Sequence, residues 1–422
     1  MTYITSLLFT ATISVACLKY SMKQKGLQHH ITDLHWDPTY KLTEKPECVC
    51  ASNYLCDAPW DLINSIVYAM KYILSDPDFI VWTEDDMPHV PNEDLGEEAL
   101  LSIISNLTHI IKLVFPSTKV YSALGNHDYH PKSQLPPVQN NIYEQTAQLW
   151  PGWLEPESQT TFRTGGYYTE NLLNRPGYRV VVLNTNLYYD QNRATEKYDD
   201  PAGQFIWADQ VLTEHANNKE KVYIIGHVPP GFFEKKRGKP CFRPNFNKRY
   251  LIQKHHSLII GQFLGHHHTD SFRMFYSPEG SPISAMFLTP GVTPWKTTLP
   301  GVIDEANNPG FIYIFEYDTQ TLLVKVRADG LRYFLLKSTN ICQFNGCSET
   351  KSHHSFSSFT MCGIHLGDAS AAHRQIAHHT VVVSHPHNEP SVSALHSSTA
   401  SPIPLKLKVT TQLMFSNKTF AS

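Results

Sequence analysis

Five short clusters of carboxylate, amide and imidazole side chains are strung along this chain, each behind a run that reads as a buried strand. They are Asp33-Leu34-His35, Asp85 in WTEDDMPH, Gly125-Asn126-His127-Asp128, Gly226-His227 and Gly265-His266-His267-His268. A single structural metal ion takes about four ligands, and this series offers seven or more. Two divalent ions side by side fit that number, provided the fold makes the strand ends converge. A paired-metal centre is suited to attack on a phosphate ester.

Residue type and spacing divide the ligands. Asp33 and His35 flank Leu34, so on an extended strand end both point to one side and suit a first ion. Asp85 lies just past the strand ending at Thr83, where its two oxygens can bridge both ions. Asn126 offers a neutral oxygen, and His227 and His266 offer nitrogens, to the second ion. His268 turns back to the first, whereas His267 faces the other way and is given no metal. Mixed nitrogen and oxygen ligands suit Zn²⁺, with Mn²⁺ or Fe as competitors. Each histidine taken singly has an ordinary reading as a core or loop residue. The ordered series is what argues for a site.

The 422 residues, 41% hydrophobic and 12% aromatic, can bury one large core or two smaller ones. A net charge of −3 gives no general pull toward duplex nucleic acid or an anionic membrane. Cys48, Cys50 and Cys56 crowd one loop, which points to a disulfide in an oxidising compartment. A zinc clip would need a second close pair nearby. Ile4 to Leu18 is too short and too polar to span a bilayer. It reads as the apolar part of a signal peptide over residues 1–18, although a basic n-region is missing. Asn106-Leu107-Thr108 and Asn417-Lys418-Thr419 fit the glycosylation pattern. A secreted, glycosylated monomer is the expectation.

Apolar periodicity predicts helices at 58–74, 93–115 and 202–216. The second starts behind Asn92, carries acids in its first turn and stops at Pro116. Strands are expected at 78–83, 119–123, 179–184, 221–225 and 258–264, then without helices at 272–276, 283–288, 311–317 and 322–326. The pattern is that of an α/β layered core finished by an antiparallel region. Residues 338–422 are rich in Ser, His and Thr and read as a mostly disordered tail.

The order D-x-H, D, G-N-H-D, G-H, G-H-x-H resembles that of the calcineurin-like metallophosphoesterases. Longer stretches are similar to the acid sphingomyelinase-like phosphodiesterases, the 3b branch above all: NYLCDAPW, MPHVP, ALGNHDYHP, VYIIGHVPPGFFEK, GQFLGHHHTDSFRMFY and FLTPGVTPWKTTLPG. The similarity runs over residues 31–325. It implies an α/β fold, a two-sheet β-sandwich flanked by helices, in a domain over 27–330. It also implies secretion and two zinc ions, one held by Asp33, His35, Asp85 and His268, the other by Asp85, Asn126, His227 and His266. His127 is implied as the phosphate-contacting acid and His89 as a second phosphate contact. The implied substrate is a small-molecule or lipid phosphodiester, sphingomyelin-like or nucleotide, and peripheral membrane contact goes with the lipid.

A mechanism follows from the residues. Water between two ions loses a proton near pH ~7, and the hydroxide attacks phosphorus in line with the leaving group. His127, beside Asn126, is placed to protonate the departing alkoxide. An imidazole titrating near ~6.5 predicts an acidic optimum. Phe232, Phe233, Lys235, Lys236 and Arg237, and the pair Tyr188-Tyr189, are candidate substrate contacts.

Three departures from the resembled family stand out. Glu84 occupies the place of a glycine before the bridging Asp85, where a left-handed backbone would cost roughly 1–3 kcal/mol. The strand leading to Asp33, Gly-Leu-Gln-His-His-Ile, is more polar than a buried first strand should be. After about Arg327 the tail replaces the family's helical, cysteine-containing part. These motivate a competing reading, a catalytically impaired relative that binds a ligand or partner. A purple acid phosphatase would need a tyrosine where Pro88 stands, and a metallo-β-lactamase would need a histidine in place of Ser271.

Overall fold

A computed structural model describes residues 25–40, 56–233, 239–295 and 312–325. The expected signal peptide, Cys48 and Cys50, Lys235 to Arg237, Asn417 and the 338–422 tail lie outside the described residues. In chain order the main elements are β1 (Lys25–Ile31), α1 (Trp60–Ile73), β2 (Phe79–Trp82), α2 (Glu97–Val114) and β3 (Lys119–Ser122). There follow α3 (Asn141–Leu149), α4 (Pro156–Gly165), β4 (Tyr168–Asn171), β5 (Tyr178–Val182), α5 (Gln204–Asn217) and β6 (Lys221–Ile225). The last are α6 (Pro244–Arg249), α7 (Ile252–His255), β7 (Ile259–Leu264), β8 (Ser271–Tyr276), β9 (Pro282–Leu288), β10 (Tyr313–Asp318) and β11 (Val324–Lys325).

The strands form two sheets, ordered β11-β10-β1-β2-β3 and β4-β5-β6-β7-β9-β8. Within the first, β1, β2 and β3 run parallel, and within the second β5, β6 and β7 do. All four residues of β2, Phe79 to Trp82, are buried, as a strand covered on both faces must be. Rings join the sheets: Phe79 lies 6.4 Å from Tyr223, and Phe315 lies 5.2 Å from Phe263 and 5.3 Å from Phe287. The core is therefore that of a two-sheet sandwich flanked by helices. On α1, Leu62, Ile63, Ile66, Val67 and Met70 are buried, the three-and-four spacing of one helical face.

Several expectations need correcting. The closing strands do pair antiparallel, but within the two sheets: β8 and β9 complete the second sheet, while β10 lies against β1 and β11. Helix α2 starts at Glu97 behind Gly96, not behind Asn92, so its first-turn acids are Glu97 and Glu98. The polar part of the first strand, Gln28 to His30, is buried between β10 and β2. Its two histidines find partners there, whereas the Gln28 side-chain amide has none among the described residues. His30 pairs with Thr83 Oγ1 at 3.1 Å and Thr289 Oγ1 at 2.6 Å, and His29 Nε2 approaches the Leu74 carbonyl at 3.3 Å. Burial holds both rings neutral, pushing His29 down to about 4 and His30 to about 3.

Candidate metal centre

Parallel strands in one sheet all end on the same side, and here the C-terminal ends of strands from both sheets meet. The loops after β1, β2, β3, β6 and β7 carry Asp33 and His35, Asp85, Asn126 and His127, His227, and His266 and His268 respectively. Crevices outside the carboxyl ends of strands are where α/β sheets place ligands. Seven side chains separated by up to 235 positions thus become neighbours.

Distances show two groups sharing one carboxylate. Asp85 Oδ2 lies 3.3 Å from His35 Nε2 and 3.4 Å from His227 Nε2. On one side His268 Nε2 is 3.3 Å from Asp33 Oδ1 and 3.1 Å from His35 Nε2. On the other, Asn126 Oδ1 is 3.2 Å from His227 Nε2, and the His227 and His266 rings are 5.2 Å apart. Ligand atoms of Asp33, His35, Asp85 and His268 all lie within 4.8 Å of one another, as do those of Asp85, His227 and His266. Every predicted ligand falls in the cluster. His267 turns away, as expected, with Nε2 3.4 Å from Cys241 Sγ.

The histidine tautomers fit metal ligation. His35 Nδ1 lies 2.6 Å from the Met87 carbonyl and His227 Nδ1 lies 2.7 Å from that of Thr83. A carbonyl only accepts, so each Nδ1 carries the hydrogen and each Nε2 presents a lone pair inward. Lone pairs and carboxylate oxygens crowded this closely repel unless a cation or protons lie among them. Burial alone would lower His35 and His227, but the surrounding carboxylates and hydrogen bonds, Asp85 foremost, together outweigh it and hold both up to about 9 in the metal-free state. The donor set therefore fits a pair of divalent ions.

The backbone reaches this arrangement through turns that the alternation argument missed. Strand β1 ends at Ile31, and Asp33 and His35 have φ of 50° and 41°, so left-handed turns bring them together, not strand alternation. Of eleven non-glycine residues with positive φ among the described residues, six are Asp33, His35, Glu84, Asp85, His266 and His268. Strain of this kind costs about 1–3 kcal/mol per residue and persists where surroundings over-determine it. Here loop-to-loop hydrogen bonds do so: Asp33 N–H donates to Glu84 O (2.6 Å), His35 N–H to Asp85 O (3.1 Å) and Thr293 N–H to Asp33 O (2.9 Å).

Asp128 is a site-building residue that the sequence reading left without a role. Its carboxylate accepts from the backbone N–H of Gly125 (2.6 Å), Asp85 (2.9 Å) and Asp86 (2.8 Å), stapling two ligand loops. The loops touch so closely that a Cβ on Gly125 would lie 2.4 Å from Asp85 N, and one on Gly265 would lie 2.1 Å from Thr32 Oγ1. Glu84 does take the left-handed turn, at φ 36°. Its side chain avoids Asp85 and joins Asp86 and Asp128 in a separate buried group, with Ser122 Oγ 3.1 Å from Oε1. Burial, then the neighbouring Asp128 and Asp86, push the Glu84 carboxyl well above its usual range.

A cavity of about 290 Å³ opens over the cluster, lined among others by His89, His127, Tyr189, Lys239 and Trp295. His127 Nδ1 faces the Met87 carbonyl at 3.2 Å, leaving Nε2 as the other ring nitrogen. Burial pushes His127 well below 6.5, so the expectation of an unperturbed imidazole does not hold. Tyr189 borders the cavity, with its ring 5.0 Å from that of His266. Tyr188 is core instead, stacked on Phe205 at 4.2 Å. Phe233 lines the cavity, whereas Phe232 is exposed. Lys239 and Trp295 carried no local signal beyond their loops.

Residues 29–270 match the family profile described as Calcineurin-like phosphoesterase. The chain belongs to that family. Among its relatives, Acid sphingomyelinase-like phosphodiesterase 3b of Mus musculus is 57% identical, over 75% of this chain and 73% of the relative. The protein of that name from Homo sapiens is 55% identical over 76% and 72%. Cyclic GMP-AMP phosphodiesterase SMPDL3A of Homo sapiens is 40% identical over 72% and 69%. Calcineurin-like phosphoesterases hydrolyse phosphoesters, and this member is a hydrolase of that kind, with residue groups able to hold divalent metal.

Proposed function

We propose that this phosphoesterase is a dinuclear zinc phosphodiesterase. The observation carrying this reading is the shared Asp85 carboxylate, within 3.4 Å of a ring nitrogen from each ligand group. Asp33, His35, Asp85 and His268 would hold one ion, and Asp85, Asn126, His227 and His266 the other. When bound, such ions neutralise charge on the phosphoryl oxygens and acidify water. The chain's own residues supply the rest. His127 and His89, at the cavity wall, contact the phosphate; burial keeps His127 neutral in the free protein, and the arriving anion raises its proton affinity so that it can pass a proton to the departing alkoxide. Lys239 adds positive charge where an anionic substrate enters.

Relatives named for sphingomyelin-type and cyclic dinucleotide substrates support a diester as the substrate class. The cavity, at about 290 Å³, suits a phosphate with its head group or nucleoside, leaving any acyl chains outside. The disulfide at Cys56 supports an oxidising, secretory setting. No helix among the described residues is long and apolar enough to cross a membrane. The test is metal analysis with hydrolysis of bis-p-nitrophenyl phosphate on one purified sample. Two metal equivalents and turnover, both lost in Asp85→Ala, are the expected result. Turnover absent from metal-replete protein favours the second reading, a ligand-binding relative, which the strained Glu84 turn motivates.

A further inference from the structure

His89 is held in a way no other cavity histidine is. Its Nδ1 lies 3.0 Å from Oδ1 and 3.2 Å from Oδ2 of Asp57, and its backbone N–H donates to Oδ2 at 2.6 Å. Asp57 is buried and is itself fixed, because Thr293 Oγ1 donates to its Oδ1 at 2.9 Å while accepting from Trp295 N–H at 3.2 Å. The Trp295 ring stacks on His89 at 4.8 Å with planes 22° apart. On its other side His89 meets the rings of His35 at 4.1 Å and His127 at 4.7 Å. Asp57 follows the disulfide-bonded Cys56, so a covalently anchored loop carries the carboxylate. His127 differs: its Nδ1 faces a backbone carbonyl.

We propose that Asp57 is the positioning residue of His89, holding its Nδ1–H and setting its ring angle so that Nε2 is the ring nitrogen turned to the substrate. An ionised carboxylate only accepts, so the Nδ1 beside it must carry hydrogen. The neutral ring then has one free nitrogen, Nε2, and stacking on Trp295 removes the remaining freedom of rotation. With the ring already oriented, substrate binding need not order it. Carboxylate partners of this kind orient imidazoles elsewhere in proteins, and their loss lowers activity by about 10–100-fold. The assignment deepens the phosphodiesterase reading and depends on it only for its kinetic consequence.

Two measurements test it. Histidine nitrogen NMR on isotope-labelled full-length protein should show His89 protonated on Nδ1, with that preference lost in Asp57→Ala and weakened in Asp57→Asn. A ring protonated on Nε2 in the native protein overturns the proposal, whatever the protein hydrolyses. In kinetics, Asp57→Ala should lower kcat/KM for bis-p-nitrophenyl phosphate by about 10–100-fold, with metal content unchanged. On a His89→Ala background the same change should cost less than about twofold, because the residue it acts through is gone. Losses that multiply in the double variant, or a fall in bound metal matching the fall in rate, overturn it. Asp57→Asn keeps the shape if the alanine variant folds poorly. Absent turnover in the native protein counts against the phosphodiesterase reading, and the NMR result then decides the positioning role.

Discussion

Replacing Glu84 with glycine should stabilise this protein, and by more at neutral than at acidic pH. Two costs are removed together. Glu84 sits at φ 36°, a left-handed conformation that costs a side-chain-bearing residue roughly 1–2 kcal/mol and glycine almost nothing. Its carboxyl is fully buried beside Asp86 and Asp128 and is held well above the usual range, first by burial and then by those neighbours. A carboxyl with a raised folded pKa stabilises most below its unfolded pKa of about 4.3. That contribution declines as pH rises, until the folded pKa is passed. The decline is about 1.4 kcal/mol per pH unit for one group. Native protein should therefore lose stability relative to Glu84→Gly as pH rises from 5 to 7, by on the order of a kcal/mol per pH unit while the carboxyl stays protonated in the fold. Each kcal/mol moves the melting midpoint of a domain this large by roughly 2–4 °C. Calorimetry of both proteins, metal-loaded, at pH 5, 6 and 7 gives the comparison. Glu84→Gln separates the causes, since it keeps the strained turn and loses the titration. Parallel melting curves across this range would falsify the reasoning, because they would mean that Glu84 stays ionised in the fold.

Other perturbations probe the ligand loops. Gly125→Ala places a methyl 2.4 Å from Asp85 N and 2.5 Å from its Cα, so the loops must part. Stability should fall by about 1–3 kcal/mol and kcat/KM by on the order of 10²-fold, as a misplaced reactive group does; unchanged turnover would refute the tight-loop account. Metal-free protein should show its own pH dependence. Burial opposes protonation of His35 and His227, but their partners, Asp85 foremost, together lift both to about 9, above the unfolded value near ~6.5. Their stabilisation is complete below about pH 6.5 and disappears as pH climbs through 9. The melting midpoint of chelated protein should drop across that window and flatten once divalent metal is added back. Zinc binding at pH 7 should also release protons, measurable by titration calorimetry in buffers of different ionisation enthalpy; heats independent of buffer would contradict it.

The clustered donor side chains were legible from sequence because metal coordination needs particular atoms, and few residue types carry them. Asp33, His35, Asp85, Asn126, His227, His266 and His268 could be named from order and type alone, as could the α/β alternation between them. Tertiary structure decided how they meet. Left-handed turns at Asp33 and His35 replaced the extended geometry that alternation suggested. Partners distant in sequence made two histidines acceptable in a core strand. Asp128 and Asp57 were invisible for the same reason: their work is done through backbone amides and a ring reached only after folding. Residue identity fixes which bonds are available, whereas burial and long-range proximity determine which of them form.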